Sequence, residues 1–302
     1  MTPWSAYGRV TPCGILVGVA AIEDILQVER IETDIYRGGA FPSHLQRTFG
    51  GQVAGQALMS ATRTVDADHH VHSLHGYFLR PGDPDIPAVF LVDRIRDGRS
   101  FVTRRVTGIQ HGEAIFMMSA SFHVRTDQGY EHQDRMPPVP DPEELNDRLD
   151  ELAEEERAVF KEWRNFDLRI VPPEKMVTSP YLAAQQRVWF RYRHPLPADT
   201  VFHVGTLAYM SDMTLLGSSR VPHPEVNPQV ASLDHAMWFM RPFRVDDWLL
   251  YDQTSPSADG GRALTQGRIF DRQGRMVAAV TQEGLARTGR VMPEDQHART
   301  DR

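Results

Sequence analysis

The sequence predicts an α+β protein of two tandem domains, each a curled antiparallel sheet wrapped around one central helix. Three observations carry that reading. First, the two halves repeat one another weakly. His72-Ser73-Leu74-His75-Gly76-Tyr77-Phe78-Leu79-Arg80-Pro81 is matched by Ser232-Leu233-Asp234-His235-Ala236-Met237-Trp238-Phe239-Met240-Arg241-Pro242, and both read as strands ending in Arg-Pro. Second, turn signals recur in step: Asp97-Gly98 with Asp259-Gly260 and Gly112 with Gly274, offset by 162 residues against 161 for the Arg-Pro pairs. Third, a helix candidate precedes each strand set, and a helix followed by an antiparallel meander suggests a sheet curled over that helix.

In chain order, residues 1–20 are expected to be an extension. Its apolar run, Gly14 to Ile22, is too short to span a bilayer. With only Arg9 before it and no clean cleavage signal, it does not read as a secretory leader. The first domain is expected over 21–125. It holds a helix over Gly50–Thr62, rich in small residues, then strands including Phe101–Gln110 and Ala114–His123. Residues 126–180 form a connector, with Pro137-Pro138, Pro140, Pro142 and Pro172-Pro173 around an acidic stretch. A solvated helix is expected there over Asp141–Asn165. The second domain, 181–288, is expected to have a helix opening at Asp212, since aspartate is a favoured N-cap, and strands over Arg262–Asp271 and Met276–Leu285. Residues 289–302 are a tail.

Composition narrows the function classes. The chain has 302 residues, 41% apolar and 24% charged, which suits two ordinary globular domains. A net charge of −7 without a basic stripe argues against nucleic-acid binding. Cys13 is the single cysteine, which excludes a disulfide within the chain and a thiolate metal cluster, and fits a reducing, cytoplasmic setting. No Gly-x-Ser-x-Gly elbow, Walker loop or dinucleotide fingerprint is present. His72 and His75, three apart on a strand, are expected on opposite faces and so not to share a metal; His69-His70 is expected in a turn.

What remains is a polar set in the second half: Asp212, Ser232 at the start of a strand, and Gln282 in the last strand. Aligning the repeats puts Gly51 opposite Asp212 and Ala120 opposite Gln282, so a single site per chain belongs to the second half. Taken singly, these are a helix cap, a strand-edge hydroxyl and an exposed strand amide. Taken together they make chemical sense. A carboxylate at a helix N-terminus stays ionised and can accept a proton from an attacking water, while a hydroxyl and an amide hold that water in line.

At these residues the sequence resembles the acyl-CoA thioesterase II family of double hot-dog proteins. The resemblance runs from Ile22 to Arg287. It is clearest in Phe49-Gly50-Gly51-Gln52-Val53-Ala54-Gly55-Gln56-Ala57, in His72 to Gly82, in Ala231 to Phe239 and in Gln282-Glu283-Gly284. It implies that Asp212, Ser232 and Gln282 are catalytic and bind the hydrolytic water. Ser232 stands where many relatives carry Thr, which keeps the hydroxyl and loses a stiffening methyl. It further implies hydrolysis of medium- to long-chain acyl-CoA to fatty acid and CoA, without cofactor or metal and without stable membrane insertion. It also implies a homo-oligomer, dimer or tetramer. Two alternatives stand beside it. A hot-dog enoyl-CoA hydratase would need a histidine about five residues after the aspartate, where this chain has Gly217. A non-catalytic acyl-CoA binding or sensing protein would be expected to lack Asp212 or Gln282.

Overall fold

The computed structural model describes residues 20–41, 43, 45–124, 128–147, 163–226 and 228–288. Nearly all of the expected extension, with Cys13, the tail, and residues 148–162 of the expected acidic helix lie outside them. The first half opens with a short helix α1 (Ile22–Leu26) and a hairpin of β1 (Val28–Glu32) and β2 (Ile35–Gly38). Helix α2 (Gly50–Thr62) follows, and its residues from Val53 to Ala61 are all buried. Then come β3 (His69–Phe78), β4 (Ala88–Asp97), β5 (Phe101–Gln110) and β6 (Glu113–Val124).

The second half repeats the plan. It consists of β7 (Phe166–Ile170), β8 (Gln185–Tyr192), α3 (Thr200–Ser211), β9 (Gln229–Ser232), β10 (Asp234–Phe239), β11 (Leu249–Asp259), β12 (Arg262–Asp271) and β13 (Met276–Arg287). The predicted turns close the hairpins. Gly112 (φ +77°), Gly260 (φ +59°) and Gly274 (φ +79°) take left-handed backbone there, which glycine adopts without a steric penalty.

Strand order in the first half is β1-β2-β4-β5-β6-β3, and in the second β7-β8-β11-β12-β13-β10, with β9 added beside β13. The two orders correspond strand for strand. The halves meet where β3 pairs antiparallel with β10, giving one 13-stranded sheet. In that pairing His75 faces Ala236, residues 161 apart and equivalent in the repeat. Equivalent residues facing each other across an antiparallel pair require a local twofold relation, so the repeat offset becomes a symmetry axis in space.

One core serves both halves. Leu74, Phe116, Met118 and Phe122 from the first sheet and Met237, Ile269, Tyr251 and Val280 from the second belong to one cluster with both helices. The helices themselves approach closely. A Cβ on Gly51 would lie 2.2 Å from the Tyr209 carbonyl oxygen, and one on Gly55 3.4 Å from that of Gly205. The small residues of α2 therefore serve helix–helix contact across the halves as well as helix–sheet packing. Among the described residues no helix is long and apolar enough to cross a membrane.

Several expectations need correction. The second helix ends at Ser211 rather than opening at Asp212; its N-cap is Asp199, whose side chain accepts from the Val201 N–H at 3.0 Å. A bulge between Val71 and Ser73 shifts the alternation of β3, so His72 and His75 both lie on the outer face. There His72 bonds Ser121 Oγ at 2.8 Å and His75 packs edge-on against Trp238. His69 begins β3, with its ring 2.9 Å from Asp68. The connector is held rather than solvated over its described first part. Met136, Val139 and Leu145 pack on Trp189, Trp248 and Phe270, and Trp189 Nε1 donates to the Pro140 carbonyl at 3.0 Å.

Candidate active site

Three separate elements bring the site together. Asp212 is the C-cap of α3, Ser232 is the last residue of β9, and Gln282 lies in the middle of β13 facing the core. β9 pairs with β13 so that Ser232 stands opposite Gly284, two residues from Gln282. Ser232 Oγ donates to Asp212 Oδ1 at 3.0 Å, and Gln282 Nε2 donates to the same oxygen at 2.6 Å. The amide also donates to Ser232 Oγ at 2.6 Å. All three residues predicted from the sequence thus meet in one hydrogen-bonded cluster.

The other side of the carboxylate faces the first half. A Cβ on Gly50 would lie 2.6 Å from Asp212 Oδ2, and the Gly51 N–H donates to the carboxylate. The helix N-terminus at this aspartate therefore belongs to α2, not to its own helix as the sequence suggested. Gly51 and Asp212 are also not equivalent positions of the repeat, as the alignment had them. The residue that caps the C-terminus of α2, as Asp212 caps that of α3, is Arg63. With Arg63 there and Ala120 opposite Gln282, the first half has neither the carboxylate nor the amide at these positions.

Burial sets the electrostatics. It pushes the Asp212 carboxyl above its ordinary 3.8, against the opposing effect of hydrogen bonds from Gln282, Ser232 and the Gly51 amide. The sequence led to an aspartate held ionised by a helix dipole; enclosure outweighs that effect and raises the pKa instead. Asp212 nevertheless keeps a partly accessible surface. Behind the cluster, burial lowers the pKa of His235, so its ring is neutral near pH 7. The Tyr251 hydroxyl, itself pushed well above 10 by burial, donates to the Ser211 carbonyl at 3.2 Å and fixes the end of α3.

Sequence reasoning did not single out His235, Tyr251 or Gly50 as parts of the site. The one available signal was a histidine on the apolar phase of a strand, in Leu233-Asp234-His235-Ala236-Met237. A carboxylate accepting from a hydroxyl and an amide, at a helix N-terminus and with a raised pKa, is equipped to take a proton from a water molecule attacking a carbonyl.

Comparison with known proteins gives the family. The profile of the family described as "Acyl-CoA thioesterase" matches residues 160–285, and that of "Acyl-CoA thioesterase N-terminal domain" matches 40–123. The chain is 39% identical over 286 residues to acyl-coenzyme A thioesterase 8 of Mus musculus, covering 88% of each. It is similar to the crystal structure of an acyl-CoA thioesterase II, TesB2, from Mycobacterium marinum. The TM-score is 0.80 at 57% identity, covering 89% of this chain and 99% of that one. A conserved protein with hot dog fold from Alicyclobacillus acidocaldarius superposes with a TM-score of 0.75 at 19% identity, covering 89% of this chain and 99% of that one, a likeness of fold alone.

Proposed function

The chain belongs to the acyl-CoA thioesterase family, and on that premise we propose that Asp212, Ser232 and Gln282 hydrolyse fatty acyl-CoA by activating a water molecule. The observation that supports this most is the convergence of a hydroxyl and an amide on one oxygen of a carboxylate 70 residues away from that amide in the chain. In the proposed step the water oxygen bonds to the thioester carbonyl carbon while its proton passes to Asp212. The tetrahedral intermediate then collapses, the C–S bond breaks, and the departing CoA thiolate takes up the proton. The raised pKa makes Asp212 a stronger base than an ordinary aspartate. The N-terminus of α2 offers positive potential to the oxyanion that forms on the carbonyl.

Medium- to long-chain acyl groups are the proposed substrates, with no cofactor required. A dimer or tetramer acting in the cytoplasm is the proposed setting, in keeping with a single cysteine. Release of free CoA thiol from palmitoyl-CoA by the purified chain tests the activity. Absence of release overturns the proposal, and undiminished release by Gln282→Ala and Asp212→Asn removes these residues from the mechanism.

A further inference from the structure

His235 is 1% exposed, and nothing so far gives it a task. Because Ala236 pairs with Thr281 across β10 and β13, His235 stands at the register position facing Gln282, and both side chains are buried. Its Nε2 lies 2.8 Å from Ser211 Oγ, on the residue that precedes Asp212. Its Nδ1 is buried without a hydrogen-bond partner, and so is Gln282 Oε1, although the two side chains interact.

A neutral imidazole has one N–H and one bare nitrogen. With the hydrogen on Nε2, a lone pair on Nδ1 would face the carbonyl side of the Gln282 amide, and both atoms would stay unsatisfied. With the hydrogen on Nδ1, the Ser211 hydroxyl donates to Nε2 instead of to the Ala208 carbonyl 3.0 Å away, and Nδ1–H turns to Gln282 Oε1. One arrangement then satisfies both buried atoms.

We infer that His235 is a positioning residue for the hydrolysis: its Nδ1–H holds Gln282 Oε1, so that the amide N–H groups stay directed at Asp212 and Ser232. This rests on the reading that Gln282 helps to hold the water. An ionised Asp212 by itself favours that sense of the amide. Once Asp212 has taken the proton its hold weakens, and the His235 anchor keeps the amide from turning over before the next cycle.

Two near-isosteric variants separate the roles of the two ring nitrogens. His235→Asn keeps an N–H donor near the place of Nδ1, whereas His235→Gln reaches toward Ser211 and loses the bond to Gln282. The kcat of His235→Asn is expected within about threefold of the native value and that of His235→Gln about 10²-fold down, the scale for a misplaced catalytic group. KM should change little in either. Equal kcat values for the two variants, or a loss confined to KM, would overturn the inference. A measurement on the native protein needs no variant to be active. Long-range proton–nitrogen correlation of labelled histidine, with the His235 signal identified by its absence in His235→Asn, should show the Nδ1-protonated tautomer. The Nε2-protonated tautomer overturns the inference. Asp212→Asn run alongside separates the two levels. Native turnover by Asp212→Asn means that the water-activation reading has fallen. An inactive Asp212→Asn beside equally active His235 variants means that the positioning role alone has fallen.

Discussion

The carboxylate of Asp212, which caps the C-terminus of α3 in the second half, accepts a hydrogen bond from the Gly51 N–H at the start of α2 in the first. The end of its own helix is the negative pole and an unfavourable place for a carboxylate; the N-terminus of α2 offsets this with a positive one. The site is therefore divided. The second half supplies the side chains, and the first supplies the helix end that steadies their charge.

Replacing Asp212 by Asn should leave a folded protein with kcat lowered on the order of 10²–10⁴-fold, the usual worth of a general base. The amide keeps the shape and one acceptor oxygen but cannot take a proton. Near-native turnover by a variant with unchanged near-ultraviolet circular dichroism would exclude Asp212 as the base.

Gly50 is needed for the approach of Asp212. A methyl group there would lie 2.6 Å from Oδ2, too close for either to stay in place, and 3.0 Å from the Phe78 ring, which would have to give way by a few tenths of an ångström. Asp212 is tied by Ser232 and Gln282 and has little room to yield. Gly50→Ala should lower kcat on the order of 10²-fold through misplacement of about 1 Å, with the variant still folded. Full activity would show that the α2 terminus can move away without consequence.

The pH dependence follows from the direction of the Asp212 shift. The base works ionised, and its pKa is raised above 3.8. Activity should therefore fall on acidification at a pH higher than 3.8 and return as the pH rises through the raised value. In a kcat/KM profile this is an acid limb displaced upward from the ordinary aspartate position. A limb at or below 3.8, with the protein still folded, would contradict the assigned cause.

Selectivity for acyl length should follow burial of the tail. Each methylene removed from water contributes roughly 0.8 kcal/mol, so four more carbons strengthen binding by about 3 kcal/mol if the protein encloses them. Phe78, Met237 and Phe239 lie on the helix side of the sheet, whereas Met117 points outward and is 39% exposed. Free CoA measured across acyl chains of increasing length, starting from acetyl-CoA, should show efficiency rising toward long chains. A maximum at acetyl-CoA would refute tail burial.

Self-association is expected through the outer face of the first sheet. Tyr77 and Met117, cross-strand partners, are 56% and 39% exposed, and Phe101 and Leu79 are 41% and 46% exposed. An apolar surface of this kind calls for a cover. Light scattering at micromolar concentration should find a species heavier than 34.3 kDa. A monomeric mass there would refute it.

Local signals were enough for much of this protein. Glycines at the left-handed turns, the β-rich runs of β5, β6, β12 and β13 between them, and the small-residue run of α2 each report short-range preferences, and the elements formed where those preferences lie. That Asp212, Ser232 and Gln282 lie on neighbouring elements was legible too, from the repeat and the family motifs together. The limits of α3 were not. Asp212 reads as an N-cap, and only the burial of Leu207, Ala208 and Met210 against α2 and the sheet decides that the helix lies before it. The bulge that turns His72 outward likewise depends on how β3 pairs with β6. The pairing of β3 with β10 set the remaining features. It places α2 beside α3 and carries Gly51 to Asp212. These are contacts between the two halves, and no local propensity encodes the distance between them.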